Sequence, residues 1–166
     1  MVKILNDRQI AQKIQRLAIE MTEENWESEV LFLLGINNNG YHFATLLRDA
    51  VLAYHPEFTI HLHHLRLNPA DPIIGQATYN HPIQDVSGQP VILVDDVANT
   101  GRTLFYGFRP FMEVIPSKIQ TAVLIERHHK TFPVQVDYVG MRLATTLHEH
   151  IHVDLQHPGS RAVYLD

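Results

Sequence analysis

The fold of this chain is decided by the stretch Val91-Ile92-Leu93-Val94-Asp95-Asp96-Val97-Ala98-Asn99-Thr100-Gly101-Arg102-Thr103. Four consecutive apolar residues predict a buried strand, and two adjacent acids follow that strand directly. Small residues and a glycine come next and predict a tight turn that opens a helix. Because ligands of open α/β sheets bind at the carboxyl ends of the strands, we expect a binding site at this turn.

The chemistry of the turn favours a ligand that carries both phosphate and sugar hydroxyls. Backbone N–H groups at a helix N-terminus bind phosphate, and the hydroxyls of Thr100 and Thr103 add donors. Asp95 and Asp96 can accept hydrogen bonds from vicinal hydroxyls, directly or through a metal-bound water. The plainer alternative is a solvated strand end followed by a helix cap, and the combination of strand, acid pair and turn disfavours it.

The rest of the chain alternates short apolar runs with amphipathic stretches. Buried strands are predicted at residues 30–34, 59–67, 121–125 and 136–139, with one or two short strands after Leu143. Two helices are marked by apolar residues at helical spacing, namely Ile10, Ile14, Leu17 and Met21, then Tyr41, Ala44, Leu47 and Val51. Residues 68–90 lack periodicity, and loops of that length commonly serve as lids. The alternation predicts an α/β fold with a parallel sheet covered by helices on both faces.

Composition limits the function classes. The 166 residues are predicted to form one domain, residues 1–166, and 45% of them are hydrophobic. The formal net charge of −5 disfavours a broad nucleic-acid surface, and the lack of cysteine excludes disulfides, thiolate metal sites and a cysteine nucleophile. The residues after Met1 turn polar too early for a signal peptide, and no apolar run approaches the roughly 20 residues of a membrane span. We therefore expect a soluble, cytoplasmic protein with no membrane partner.

The stretch 91–103 closely resembles the phosphoribosyl pyrophosphate (PRPP) signature of type I phosphoribosyltransferases. The resemblance implies the type I phosphoribosyltransferase fold, an α/β parallel sheet flanked by helices with a small hood and a flexible active-site loop. It also implies that Asp95 and Asp96 act as catalytic residues and hold the ribose hydroxyls of PRPP. The 5′-phosphate would be bound by the turn, which consists of Ala98, Asn99, Thr100, Gly101, Arg102 and Thr103.

Most of the chain is similar to the bifunctional pyrimidine operon attenuator/uracil phosphoribosyltransferase family. The likeness is carried by residues 4–7, by Leu34-Gly35-Ile36 with Gly40, and by residues 120–130, 132–133 and 136–140. It implies a pyrophosphate-binding loop of Ile36, Asn37, Asn38, Asn39 and Gly40, and a base hood that includes Val139, Gly140, Met141 and Arg142. It further implies that segment 68–82 closes over the site and that the protein is a homodimer. Mg2+ would be bound through PRPP and reached by Asp95 and Asp96 through water.

Two positions depart from this family. The family usually places a lysine and an arginine between the loop glycines, where this chain has Asn37, Asn38 and Asn39. Asparagines donate hydrogen bonds without charge, and charge-assisted hydrogen bonds are roughly twice as strong as neutral ones. A plain strand-to-helix turn is therefore the alternative interpretation of these residues. Arg66 is the candidate for the arginine of the family's flexible loop, and it is assigned a catalytic role on that basis.

Two functional hypotheses follow. The first is a Mg2+-dependent phosphoribosyltransferase that transfers ribose 5-phosphate from PRPP to a nucleobase, with uracil the first candidate, and releases pyrophosphate. Purine-salvage relatives have an aspartate at the position of Asn99, and an amide cannot abstract a proton, which disfavours a hypoxanthine-guanine enzyme. The second hypothesis is a catalytically weak nucleotide- or PRPP-binding regulator of pyrimidine genes, and the uncharged asparagine loop motivates it.

Two further patterns stay open at this stage. Arg127 and Lys130 resemble the basic turn of the family's RNA-binding members, but RNA is not the favoured partner, and its binding requires both residues on an exposed face. The alternating His148, His150 and His152 would share one face of a strand, as would the pair His61 and His63. Because no acid or cysteine joins them by spacing, no metal site built from protein ligands is predicted.

Overall fold

The predicted strand at residues 91–94 lies near the centre of a six-stranded sheet. The computed structural model describes residues 1–75, 77–146 and 148–166. In chain order the strands and α-helices are β1 (Val2–Leu5), α1 (Asp7–Asn25), β2 (Val30–Ile36), α2 (Asn37–Tyr54), β3 (Thr59–Arg66), β4 (Thr78–Tyr79), β5 (Pro90–Ala98), α3 (Arg102–Gly107), β6 (Lys118–Arg127), β7 (Tyr138–Leu143), β8 (Ile151–Asp154) and β9 (Ala162–Leu165). Two 3₁₀ helices span Ile83–Val86 and Arg109–Glu113.

The large sheet has the strand order β4-β3-β2-β5-β6-β7. Its strands β3, β2, β5, β6 and β7 run parallel, and the two-residue β4 is antiparallel to its neighbour β3. This arrangement confirms the predicted α/β fold with a mostly parallel sheet flanked by helices. Because β2 pairs with both β3 and β5, the segments that follow these three strands meet at one edge of the sheet.

The two faces of the large sheet carry separate hydrophobic cores. Leu33 and Ile92 belong to the core under α1 and α2, whereas Leu34 and Leu93 belong to the core under α3 and the 3₁₀ helices. The side chains predicted to form the buried stripe of α1, Ile10, Ile14, Leu17 and Met21, are all buried. None of the helices in the described residues combines the length and apolar character needed to cross a bilayer.

Both ends of the chain contribute to a second, smaller sheet, which we call the hood. Its three antiparallel strands have the order β1-β9-β8. The two strands predicted after Leu143 are therefore present as β8 and β9, whereas β1 was not predicted as a strand. Leu5 and Val163 bury their side chains in the core under α1 and α2, so the hood is anchored to the large sheet.

The other differences from the sequence analysis lie between the large elements. Residues 68–90 include the short strand β4 and the 3₁₀ helix Ile83–Val86, so this segment is less irregular than predicted. The helix after Gly101 is only six residues long and is followed by a 3₁₀ helix that contains Pro110, because proline cannot donate the next helical hydrogen bond. Strand β6 is longer than predicted, and β7 begins at Tyr138 rather than at residue 136.

The N-terminus of α2 packs directly against β5, and a glycine makes this contact possible. A Cβ atom placed on Gly40 would lie 2.6 Å from the Val94 carbonyl oxygen and 3.2 Å from the Asp95 Cα atom. Such distances are well below van der Waals contact with backbone atoms that cannot move independently. Gly40 therefore sets how closely the first turn of α2 approaches the two acids near the carboxyl end of β5.

We expect Gly40→Ala to destabilise the protein by about 1–3 kcal/mol, because the added methyl group overpacks the contact with β5. Urea denaturation measures the change, with the exposed Asp49→Ala on the same helix as the control. Equal stabilities for the two variants would contradict the packing argument.

Candidate active site

A cleft of about 620 Å³ lies at the carboxyl ends of β2, β3 and β5. Its lining comes from the predicted pyrophosphate loop, from the end of β3 with the residues that follow it, and from β5 with the turn that follows it, together with Ile151 from the hood. The lining consists of Ile36, Asn37, Asn38, Asn39, Arg66, Leu67, Pro69, Asp95, Asp96, Val97, Asn99, Thr103 and Ile151. The structure thus brings the acid pair, most of the predicted pyrophosphate loop and Arg66 together in one site.

The acid pair forms the floor of the cleft. Asp95 is buried, and its Oδ1 atom accepts a hydrogen bond of 2.9 Å from the Asp96 backbone N–H. The Asp96 carboxylate is only partly buried, and its Oδ1 atom accepts a bond of 2.9 Å from the Val97 N–H. Burial raises the pKa of the Asp95 carboxyl well above its ordinary value, and the neighbouring Asp96 carboxylate raises it further.

The turn after β5 encloses a smaller cavity of about 230 Å³. This cavity is lined by the predicted phosphate-binding residues Ala98, Asn99, Thr100, Gly101, Arg102 and Thr103, together with Pro69, Asp95, Val97 and Leu104. Gly101 has a φ of 84°, a left-handed conformation that glycine adopts without strain. Because α3 has only six residues, a phosphate here would depend on nearby N–H groups and hydroxyls more than on a helix dipole.

The predicted pyrophosphate loop forms the first turn of α2. Asn37 has a φ of 52°, and its Oδ1 atom accepts a hydrogen bond of 3.1 Å from the Leu67 backbone N–H. Asn39 donates a hydrogen bond of 2.9 Å from Nδ2 to Oδ2 of Asp96. The asparagines therefore contact neighbouring strand ends as well as lining the cleft.

Arg66 ends β3 and lines the cleft, as its predicted catalytic role requires, and it is exposed. The segment 68–82, predicted to be the flexible loop, begins beside it; residue 76 of this segment lies outside the described residues. The Arg102 guanidinium donates a hydrogen bond to the Pro69 carbonyl oxygen. The turn of residues 98–103, which we call the phosphate turn, is therefore in contact with the start of this segment.

The predicted hood residues Val139, Gly140, Met141 and Arg142 need correction. They form part of β7 in the large sheet, and none of them lines the cleft. Their register with β6 places them there, since β7 pairs along β6 from residue 138 to residue 143. Of the hood strands, β8 contributes Ile151 to the cleft lining.

The two basic residues considered for RNA contact are both engaged within the chain. Arg127 is 9% exposed, and its guanidinium donates hydrogen bonds to Asn99 Oδ1, Thr145 Oγ1 and the Thr146 carbonyl. Lys130 Nζ lies 3.0 Å from a carboxylate oxygen of Glu126. Arg127 therefore does not lie on an exposed face, and it joins the turn after β5 to the segment after β7.

The histidine patterns do not form a metal centre in the described residues, where no group of three or more histidine, cysteine or acidic side chains could hold an ion. Of the alternating histidines near the C-terminus, only His152 lies within β8. On β3, the rings of His61 and His63 stack on Phe32, with centroid distances of 4.5 and 6.1 Å.

Four residues that line the cleft had no individual role in the sequence analysis, namely Leu67, Pro69, Val97 and Ile151, although Pro69 lies in the segment predicted to close over the site. Val97 lies between the acid pair and the turn in the same motif. Leu67 and Pro69 directly follow β3, so the rule that ligands bind at the carboxyl ends of parallel strands could have found them. Ile151 carries no such signal, because only the packing of the hood brings it to the cleft.

The acid pair fits a hydrated divalent cation. Two carboxylates lie side by side at the floor of the cleft, and the salt bridges of the described residues involve neither of them. Mg2+ prefers oxygen ligands and retains water molecules, so Asp95 and Asp96 are suited to hold such an ion through its water shell.

Fold and site together define a class of protein. The sequence matches the phosphoribosyl transferase domain family over residues 1–158. The chain therefore belongs to the phosphoribosyltransferase family, as the motif at residues 91–103 predicted.

Particular relatives are the bacterial proteins described as bifunctional protein PyrR. The chain is 31% identical over 169 residues to that of Bacillus mycoides, with 92% of this chain and 89% of the relative covered. It is 32% identical over 164 residues to that of a Bacillus cereus strain, with 92% and 89% covered. These relatives confirm the predicted resemblance to the bifunctional, PyrR-type proteins.

Solved structures of purine enzymes share the fold. The TM-score is 0.78 with the hypoxanthine phosphoribosyltransferase of Trypanosoma cruzi, at 15% identity and with 98% of this chain and 95% of that chain covered. It is 0.77 with a hypoxanthine-guanine phosphoribosyltransferase of Bacillus anthracis, at 17% identity and with 99% and 97% covered. At these identities the likeness concerns the fold alone.

We expect Asp95→Asn to stabilise the protein at pH values above the ordinary pKa of an aspartate. Because the pKa of Asp95 is raised in the folded state, folding favours its protonated form, and the stability of the parent chain falls as pH rises through that raised pKa. The amide is neutral and can still accept the Asp96 N–H, so this loss should be reduced in the variant.

Urea unfolding in metal-free buffer at pH 5 and pH 8 measures this difference, with the exposed Asp49→Asn as the control. A parent-like pH dependence of stability in Asp95→Asn would contradict the assignment of the raised pKa.

Proposed function

We propose that this protein transfers ribose 5-phosphate from PRPP to a nucleobase, with uracil the first candidate, and releases pyrophosphate. The observation that carries the proposal is the convergence of Asp95, Asp96 and the asparagine loop on one cleft, with the phosphate turn beside it. The ribose would lie over the acids, the 5′-phosphate in the turn and the pyrophosphate near the first turn of α2. Membership of the phosphoribosyltransferase family supports this arrangement.

In the proposed reaction a base nitrogen forms a bond to C1 of the ribose, the bond from C1 to the pyrophosphate oxygen breaks, and the proton of that nitrogen passes to water or to the leaving pyrophosphate. The transition state has oxocarbenium character, so the protein's task is to position the groups and exclude water. Asp95 and Asp96 would hold the ribose hydroxyls, and the turn would hold the 5′-phosphate. Bound Mg2+ would supply positive charge to the leaving pyrophosphate.

Asn99 supports a pyrimidine rather than a purine substrate. Its side chain is an amide, and its Oδ1 atom is 3.3 Å from Nη1 of Arg127, which donates to it. An amide oxygen fixed in this way cannot act as a general base toward a purine nitrogen. The resemblance to the uracil-using family gives the same preference.

The acids supply the direct test. We expect the parent protein to bind PRPP with Mg2+ in calorimetry and to release pyrophosphate with uracil rather than with hypoxanthine, guanine, xanthine or adenine. The double variant Asp95→Asn, Asp96→Asn should lose PRPP binding, because it loses both carboxylates that would hold the ribose. Asp85→Asn, an exposed acid in the 3₁₀ helix Ile83–Val86, is the matched control.

Turnover with a purine alone would redirect the substrate assignment. An absence of PRPP binding by the parent protein would overturn the proposed function.

A second candidate is a catalytically weak regulator that binds PRPP or nucleotide. The asparagine loop favours it, because among the described residues that line the cleft Arg66 is the single lysine or arginine. PRPP binding without turnover on any base would support this candidate, whereas robust turnover with uracil would remove its basis. A contribution of RNA would need a surface other than Arg127, since that residue is buried.

We also propose that the protein is a cytoplasmic homodimer, on the basis of the family resemblance. Sedimentation equilibrium tests the oligomeric state directly, and a monomer at micromolar concentration would contradict it.

A further inference from the structure

The three asparagines after β2, Asn37, Asn38 and Asn39, form a turn that contacts the ends of both neighbouring strands. Strand β2 lies between β3 and β5 in the large sheet. On one side, Asn37 Oδ1 accepts the Leu67 N–H at 3.1 Å, one residue after β3 ends. On the other side, Asn39 Nδ2 donates to Asp96 Oδ2 at 2.9 Å within β5. One turn therefore links the carboxyl ends of three adjacent parallel strands.

The geometry of Asn37 suits this linking role. Its φ of 52° is left-handed, and asparagine adopts this conformation more readily than most residues other than glycine. Asn37 is partly buried, whereas Asn38 is exposed and its side chain makes no hydrogen bond with the described residues. The asparagines thus differ in what they contact, although they are adjacent and chemically identical.

Asn39 leaves Asp96 able to bind a ligand. A carboxylate offers about four acceptor positions. In Asp96 one oxygen accepts the Val97 N–H and the other accepts Asn39 Nδ2, so acceptor capacity remains on both. These two bonds restrict the rotation of the Asp96 carboxylate. The carboxylate therefore loses less conformational entropy when a sugar hydroxyl binds to it.

Asn37 acts on the opposite side of the cleft. The Leu67 amide that it holds lies between Arg66 and the start of segment 68–82. Arg66 and Pro69 both line the cleft, and Pro69 also accepts a hydrogen bond from Arg102 of the phosphate turn. Fixing Leu67 therefore fixes the short stretch of chain that joins Arg66 at the end of β3 to Pro69.

We propose that Asn37 and Asn39 are positioning residues that clamp the ends of β3 and β5 around the ligand, in place of the charged contacts that the family makes with pyrophosphate at this loop. The inference rests on the proposed function, because it gives the clamp PRPP as its ligand. The clamp itself is a pair of hydrogen bonds that can be tested without turnover.

Four variants separate the clamp from direct contact with pyrophosphate. Asn39→Ala removes the bond to Asp96, and Asn37→Gly removes the bond to Leu67 while accepting the positive φ. Asn37→Asp restores an acceptor for the Leu67 N–H and is the conservative rescue. Asn38→Ala removes an amide of the same loop that takes no part in the clamp. Gln15→Ala, which removes an exposed amide from α1, is the control outside the site.

The clamp predicts unequal effects along the loop. Asn39→Ala should weaken PRPP binding with Mg2+ about three- to tenfold in calorimetry, the size expected when one side chain must be immobilised on binding instead of beforehand. Asn37→Gly should speed hydrogen exchange at the Leu67 amide and lower kcat/KM. Asn37→Asp should restore slow exchange at that amide, but it should not restore kcat/KM, because its added negative charge faces the site proposed for pyrophosphate. Asn38→Ala should weaken PRPP binding less than Asn39→Ala does.

Equal losses of PRPP affinity in the Asn37, Asn38 and Asn39 variants would overturn the clamp and favour direct contact with pyrophosphate. Parent-like affinity in Asn39→Ala together with parent-like exchange in Asn37→Gly would also overturn it, while the proposed function would stand. If the parent chain binds no PRPP, the proposed function fails, and Leu67 exchange in Asn37→Gly and Asn37→Asp still decides whether the clamp exists. Should Asn37→Gly unfold, the comparison of Asn39→Ala with Asn38→Ala carries the test.

Discussion

The site depends on the close contact between the first turn of α2 and β5. Gly40 lies against the Val94 carbonyl, where a Cβ atom would be 2.6 Å away, so the two chain segments approach as closely as backbone atoms permit. This contact places the asparagine turn within hydrogen-bonding distance of Asp96. The relative position of the predicted pyrophosphate loop and the acid pair is therefore set by backbone packing more than by charge.

Electrostatics at the cleft is unfavourable in the absence of a ligand. Asp95 is buried beside Asp96, and its pKa is raised because the charged form is both desolvated and repelled. Proteins retain such arrangements mainly where they bind or react, because the cost in stability is recovered as function. A ligand that brings hydroxyl groups or a hydrated cation would relieve the repulsion, and PRPP with Mg2+ would bring both.

How much the sequence could predict depended on whether a residue's role was local. The central strand, the acid pair and the helical stripe from Ile10 to Met21 were found because each is written in consecutive or periodic residues, although the strand runs on through the acids to Ala98. The hood was assigned to Val139 instead of Ile151, because the strand with which each residue pairs cannot be read from its own stretch of sequence. Val139 pairs with β6 and Ile151 with β9. The burial of Arg127 could not be predicted, because its partners, Asn99 and Thr146, are distant in sequence.

A side chain of α1 covers part of the β7 edge of the large sheet. Arg16 of α1 donates from Nη2 to the carbonyl oxygens of Val139 and Gly140 on β7, at 2.6 and 2.9 Å. Part of the β7 backbone is therefore engaged by a side chain, while β4 at the opposite edge has only two residues. Both edges thus offer little free backbone to another strand, which disfavours the joining of two copies of this chain through one continuous sheet.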